Sequence, residues 1–192
     1  MTLPSASNAS GAAQANMPQS WAGPGRMYGT RIAPVRTAAS APGIAPLRRM
    51  VDAGVKVGLG VDGSASNDTA NLLGAARQAL LLQRVTQGAG ACAAREALRL
   101  ATRGGAEVRG RCDLGQLRPG LRADSAVWGM ADVAFTGAWD LVAGLVLAPP
   151  AGVRDLFVEG RAVVRGGDLV RTPRAAVLKA SRTSLNRPMA LI

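Results

Sequence analysis

Histidine is missing from all 192 residues, so no imidazole is on hand as a general base, as a nucleophile's partner or as a metal ligand. That absence excludes a Ser-His-Asp hydrolase built on Ser64 or Ser66. It also means that a zinc site combining imidazoles with a carboxylate is not completed from this chain's own residues. Aromatic residues make up only 3% of the chain, which leaves the core to Ala, Val and Leu and to many close contacts of small side chains. Cys92 and Cys112 have neither CxxC spacing nor histidine partners. A zinc finger is therefore excluded, a disulfide framework is not expected, and two free thiols suit a reducing, cytoplasmic location. No apolar run approaches the roughly 18 residues of a transmembrane helix. Residues 1–19 lack the basic and apolar regions of a secretory signal, so no membrane association is expected.

What the chain has in quantity is positive charge. Its formal net charge is +11, from 23 basic against 12 acidic residues, and Lys56 and Lys179 are the only lysines. A surface of this sign suits phosphate, because neutralising phosphates releases counterions. The arginines are scattered rather than gathered in a block, and no aromatic-basic motif of an RNA-binding sheet occurs. Nucleic-acid binding thus stands as an alternative that the charge permits and no motif supports.

Residues 1–42 are rich in Ser, Ala, Gly, Pro and Asn, without a period of 2 or 3.6, and are expected to be disordered or irregular. The pentapeptide IAPVR at 32–36 is echoed by IAPLR at 44–48, too little for a solenoid. A short helix then opens with Pro46 in its first turn, puts Leu47, Met50 and Val51 on one face, and ends at Gly54. Residues 55–61 read as a buried strand ending in Asp62 and a loop of small residues. Helix, glycine, strand and polar loop make an αβ unit of a parallel sheet, and such a strand end faces the active site. Gly58 and Gly60 lie inside the strand and do not form a dinucleotide fingerprint. Ser64, Ser66 and Asn67 fit either substrate contact or capping of the next helix.

That helix is expected to be capped by Asp68 or Thr69 and to run to about Val85. Leu72, Leu73, Ala76, Leu80 and Val85 would form its apolar stripe, with Arg77 and Arg84 toward solvent. A second helix over 93–103 puts Ala94, Ala97, Leu98 and Ala101 on one face and is interrupted by Gly104 and Gly105, with a short helical turn continuing to Gly110. Beyond Asp113 strands are expected at 125–128, 141–147, 156–158 and 161–164, with a tight turn at Glu159 and Gly160. Asp124 reads as a turn and strand-entry residue, Trp128 and Trp139 as core or interface residues, and residues 175–180 as a frayed helix.

Three segments carry a family resemblance: IAPLRRMVDAGVKVGLGVDGSASND at 44–68, AAREALRLATRGGA at 93–106, and the stretch from LGQLRPG at 114–120 through Ala123 and Asp124 to VEGR at 158–161. Together they resemble the C-terminal third of the amidohydrolase superfamily, nearest the group of 8-oxoguanine, hydroxyatrazine and guanine aminohydrolases. Met17, Pro18 and Ser20 echo a Cys-Pro-x-Ser segment of that group without its cysteine, and Ser125 stands where the group has an apolar residue. The resemblance implies an α/β fold: the last strand and helices of a metal-dependent (β/α)8 TIM barrel, followed by part of a small β-sandwich. Barrel residues would occupy 43–112, the sandwich portion 113–171 and a basic tail 172–192. It further implies one divalent metal, zinc or iron, a purine- or triazine-like substrate, and deamination by an activated water. Asp62 matches the metal-binding, proton-moving aspartate of the last barrel strand, while the family's histidine ligands have no counterpart here. The expectation is a truncated remnant, inactive alone. The alternative is an interaction module or complementing subunit of a split or intact amidohydrolase, with a homo-oligomer also open.

Overall fold

The computed structural model describes residues 30–32, 44–61, 70–148 and 152–185. Within them a helical layer packs on a parallel strand pair, and a separate antiparallel sheet follows. Strand β1 (Thr30–Ile32) runs parallel to β2 (Val57–Leu59), with Thr30 opposite Val57 and Ile32 opposite Leu59. Three residues of the stretch expected to be irregular are thus a strand.

Helix α1 (Leu47–Asp52) buries Leu47 and Met50, as their spacing predicts. Its end explains why β2 is shorter than the expected 55–61. Gly54 adopts φ +73°, its N–H donates to the Val51 carbonyl, and the Val55 N–H reaches back to the Met50 carbonyl at 3.0 Å. This pair of bonds ties Val55 to the helix, so the strand begins two residues later.

Helix α2 (Leu72–Gln87) is capped by Asn71, whose Oδ1 accepts the Gly74 N–H at 2.9 Å. The expected caps Asp68 and Thr69 lie outside the described residues. The apolar stripe is rotated from the expected one: Ala75, Ala76, Ala79 and Leu80 are buried, while Leu72 and Val85 are exposed. The cause is the facing helix α3 (Ala94–Arg99), which presents Ala94 and Ala97. Alanine against alanine lets the axes approach closely, and the larger side chains turn outward.

Helix α3 is not interrupted at the glycines. It passes through a π-helical turn, Leu100–Gly104, into α4 (Gly105–Val108). A side chain on Gly104 would collide with the Val57 carbonyl, and one on Gly58 would lie 2.8 Å from the Gly105 Cα. These glycines bring helix backbone directly onto strand β2; they do not break the helix.

Residues 141–147, expected as a strand, are helix α5 (Leu141–Leu147). Asp140 caps it by accepting the Val142 N–H at 2.8 Å and the Ala143 N–H at 3.3 Å. A short apolar run fits a buried strand or a buried helix equally well by pattern, and the cap decides for helix. Strands β3 (Ser125–Trp128), β4 (Val153–Val158), β5 (Arg161–Arg165) and β6 (Asp168–Leu169) form one antiparallel sheet in that order. The β4–β5 turn uses Glu159 and Gly160, both at positive φ, as a two-residue hairpin requires. Asp124 Oδ1 accepts the Glu159 N–H at 2.7 Å, so the strand-entry residue also pins that turn. A short 3-10 turn, Val133–Phe135, precedes α5, and helix α6 (Arg174–Leu185) is longer than the expected 175–180. Trp128 is half-buried, but Trp139 is fully exposed and no core residue. No helix among the described residues is long and apolar enough to cross a membrane.

Candidate active site

The parallel pair defines where a site would lie. Because β1 and β2 run the same way in register, both chains leave at one rim, the carboxyl end that carries active sites in parallel α/β folds. The path from β2 is described as far as Val61 and resumes at Ala70, which adopts φ +45° just before the Asn71 cap. Asp62, Ser64, Ser66, Asn67 and Asp68 lie outside the described residues.

The support beneath that rim is well defined. Val57 and Leu59 are buried among Leu47, Met50, Ala76, Leu80 and Leu100. Gln83, the one buried polar residue of the described core, is fully engaged. Its Nε2 donates to the Ala45 carbonyl at 3.0 Å, and its Oε1 accepts the Arg48 N–H at 3.1 Å and the Gln87 Nε2 at 2.8 Å. Gln83 therefore serves one of the free N–H groups that open α1, that of Arg48, a cap supplied from another helix. The Arg48 guanidinium bridges Asp52 and Glu96, joining α1 to α3. Neither interaction was legible beforehand: a lone Gln on a helix and an arginine followed by an acid carry no distinctive signal. The adjacent Gly104 and Gly105 in a helical pattern were the one readable clue to close packing.

Several carboxylates are committed to structure. Arg48 holds the Asp52 carboxyl below its usual range, and Arg111, with help from Arg122, holds Asp113 lower still. Asp140 is held down by Arg95 and by the α5 backbone N–H groups, and Asp155 by the Gly166 N–H and then Arg154. Burial pushes the Cys92 thiol up, which makes it a core residue and no nucleophile. Among the described residues no group of three or more His, Cys, Asp or Glu side chains is placed to hold a metal ion. With no imidazole in the chain, the donors present do not fit a metal site of nitrogen and oxygen ligands.

Comparison with known proteins extends this picture. The sequence profile of the amidohydrolase family matches residues 20–163. The chain is 40% identical over 144 residues to 8-oxoguanine deaminase of Pseudomonas aeruginosa, a match covering 75% of this chain and 32% of that protein. It is 39% identical over 150 residues to 5-methylthioadenosine/S-adenosylhomocysteine deaminase of Desulforudis audaxviator, covering 77% and 35%. Among solved structures it is similar to atrazine chlorohydrolase of Arthrobacter aurescens TC1 complexed with zinc, at 34% identity and TM-score 0.74 over 96% of this chain and 39% of that one. The chain thus spans about a third of the length of the curated relatives it matches.

Proposed function

We propose a function from one established premise: the chain belongs to the amidohydrolase family. These residues form the portion of an aminohydrolase barrel that carries its last strand, followed by part of a small β-sandwich, and Asp62 is the catalytic carboxylate. The reaction is hydrolytic deamination of a nucleobase-like ring, of the 8-oxoguanine, guanine or aminotriazine type. Water adds to the ring carbon, the exocyclic carbon–nitrogen bond breaks, and ammonia leaves. Asp62 takes the attacking water's proton and returns it toward the departing nitrogen, the work of a general base within hydrogen-bond reach. The family's zinc or iron ion needs imidazoles that these 192 residues do not contain. By themselves they are inactive, and they act in a reducing cytoplasm as one piece of a site completed by further polypeptide.

The reading is supported above all by the parallel pairing of β1 and β2 inside the family-matched span, with Asp62 next in sequence after the described end of that strand path. The test is reconstitution. The chain is mixed with a polypeptide carrying the other barrel strands and their histidines, and ammonia release is measured from 8-oxoguanine, guanine and aminotriazines. Activity is expected only in the mixture, and Asp62→Ala should abolish it while leaving the two pieces associated. Activity that survives Asp62→Ala removes this chain from the chemistry. It would then be an interaction module, the reading that the lack of histidine also favours.

A further inference from the structure

The antiparallel sheet and the helical layer barely touch. Among the described elements no helix makes more than marginal contact with strands β3–β6. The chain crosses between the two at one end of the sheet, where Trp128 pairs with Val153: β3 leaves there toward α5, and β4 returns from it. At the opposite end Ser125 pairs with Phe157, and β4 turns into β5 through Glu159 and Gly160. What joins this second end to the helices is polar.

Residues 111–115 are held by the helical layer. The Arg111 N–H donates to the Ala106 carbonyl at 3.0 Å. Gly115, at φ +86°, lies so close on the π-helical turn that a Cβ there would stand 2.8 Å from the Arg103 Cα. Residues 122–124 belong instead to the sheet: the Asp124 carboxylate and the Ala123 carbonyl accept the Glu159 and Gly160 N–H groups at 2.7 and 3.0 Å. Arg122 spans the gap. Its N–H donates to the Asp113 carbonyl and its Nε to the Asp113 carboxylate, both at 3.0 Å, while its Nη1 pairs with Glu159. Between the two anchors the chain has slack. Leu117 is 78% exposed, Gly120 adopts φ +84°, and the Leu121 N–H closes locally on the Arg118 carbonyl.

We propose that Arg122 is a latch: it fastens the far end of the sheet to the helical layer in this chain, and its release lets the sheet swing as one body about the end joined to α5. One guanidinium reaches a carboxylate of each layer, so breaking it parts the layers without costing either one its own hydrogen bonds. The side chains of Asp113, Arg122 and Glu159 are about half exposed. Ion pairs of that kind are individually weak and are screened by salt, so this latch opens under conditions that leave both layers folded. A fastening of apolar side chains would not respond to ionic strength in this way. The loop 116–121 lets the anchors separate without pulling Gly115 off the π-helical turn.

The test is hydrogen exchange of the full chain, followed by NMR, with solution X-ray scattering alongside. In Arg122→Met the amide of residue 122 should exchange about fivefold faster or more, while those of Gly160 and of α2 change by no more than about twofold. Glu159→Gln, which removes only the sheet's half of the latch, should act in the same direction. Raising NaCl from about 0.05 M to about 1 M should speed the same amide in the parent and add little in Arg122→Met. The radius of gyration should rise wherever the amide is released. An amide of residue 122 that ignores Arg122→Met or Glu159→Gln overturns the proposal, because the guanidinium then only decorates its own loop. So does equal acceleration at Gly160 and in α2, which would mean general destabilisation, or a released amide with no change in the radius of gyration. None of these readouts involves Asp62, so the latch and the deamination reading fail separately.

Discussion

At the scale of single residues the chain uses carboxylates as anchors for arginine. Asp113 is the clearest case. It accepts from Arg111 Nε and Nη2, both at 2.7 Å, and from Arg122 Nε at 3.0 Å, while Arg122 also pairs with Glu159 at the β4–β5 turn. Arg111 and Arg122 hold its folded pKa below the unfolded value of about 3.9. A group depressed in this way contributes stability above its unfolded pKa and loses that contribution as pH falls toward the folded value. Asp113→Asn should therefore lower Tm at pH 7, and the gap between variant and parent should shrink as pH drops below about 4. Thermal melts from pH 7 to pH 2 check this. A gap of constant size would show that the substitution disturbs packing rather than removing a charge. Sequence reading did not mark Asp113, because an acid two residues after an arginine is common on any solvated surface.

At the scale of elements, what was legible were those with a local signature. The proline-to-glycine bounds of α1, the core of β2 and the Glu159–Gly160 hairpin all follow from backbone chemistry that a few residues specify. What failed depended on neighbours. The run 141–147 became helix through the Asp140 cap, and the stripe of α2 turned toward the alanines of α3. Gly104 and Gly105 illustrate the same limit, since a glycine pair reads as a break until a strand is known to lie under it. Gly104→Ala gives a prediction at this scale. Helix propensity alone would favour alanine, by up to about 1 kcal/mol. The collision with the Val57 carbonyl involves backbone on both sides and cannot be relieved by a rotamer change, so overpacking costs of about 1–3 kcal/mol should win. Urea denaturation should show a lower midpoint for Gly104→Ala, and a higher midpoint would mean that the π-helical turn does not rest on β2.

At the scale of the whole molecule the question is whether this family member keeps the means to hold a metal. The resemblance was legible because residues 44–68 and 93–106 form contiguous signatures, and the family match spans both. Asp62 itself rests on sequence, since it lies outside the described residues. The rest of the chain argues against cation binding in two independent ways. It has no histidine, and seven of its ten described acids are paired with arginine: Asp52 and Glu96 with Arg48, Glu107 with Arg103, Asp113 with Arg111 and Arg122, Asp140 with Arg95, Asp155 with Arg154, and Glu159 with Arg122. Releasing one of these to a divalent ion would strand a guanidinium, and the +11 net charge would further repel the ion. After dialysis against zinc or iron(II) and then metal-free buffer, the purified chain should retain well under one equivalent. Excess zinc should also leave Tm unchanged, whereas an ion at a hundredfold its Kd would add about 2.7 kcal/mol of stability. A retained equivalent that disappears in Asp62→Asn would instead mean that Asp62 finds partners without imidazole. In that case the chain would need no further polypeptide for its metal, and the reconstitution experiment should give activity from this chain alone.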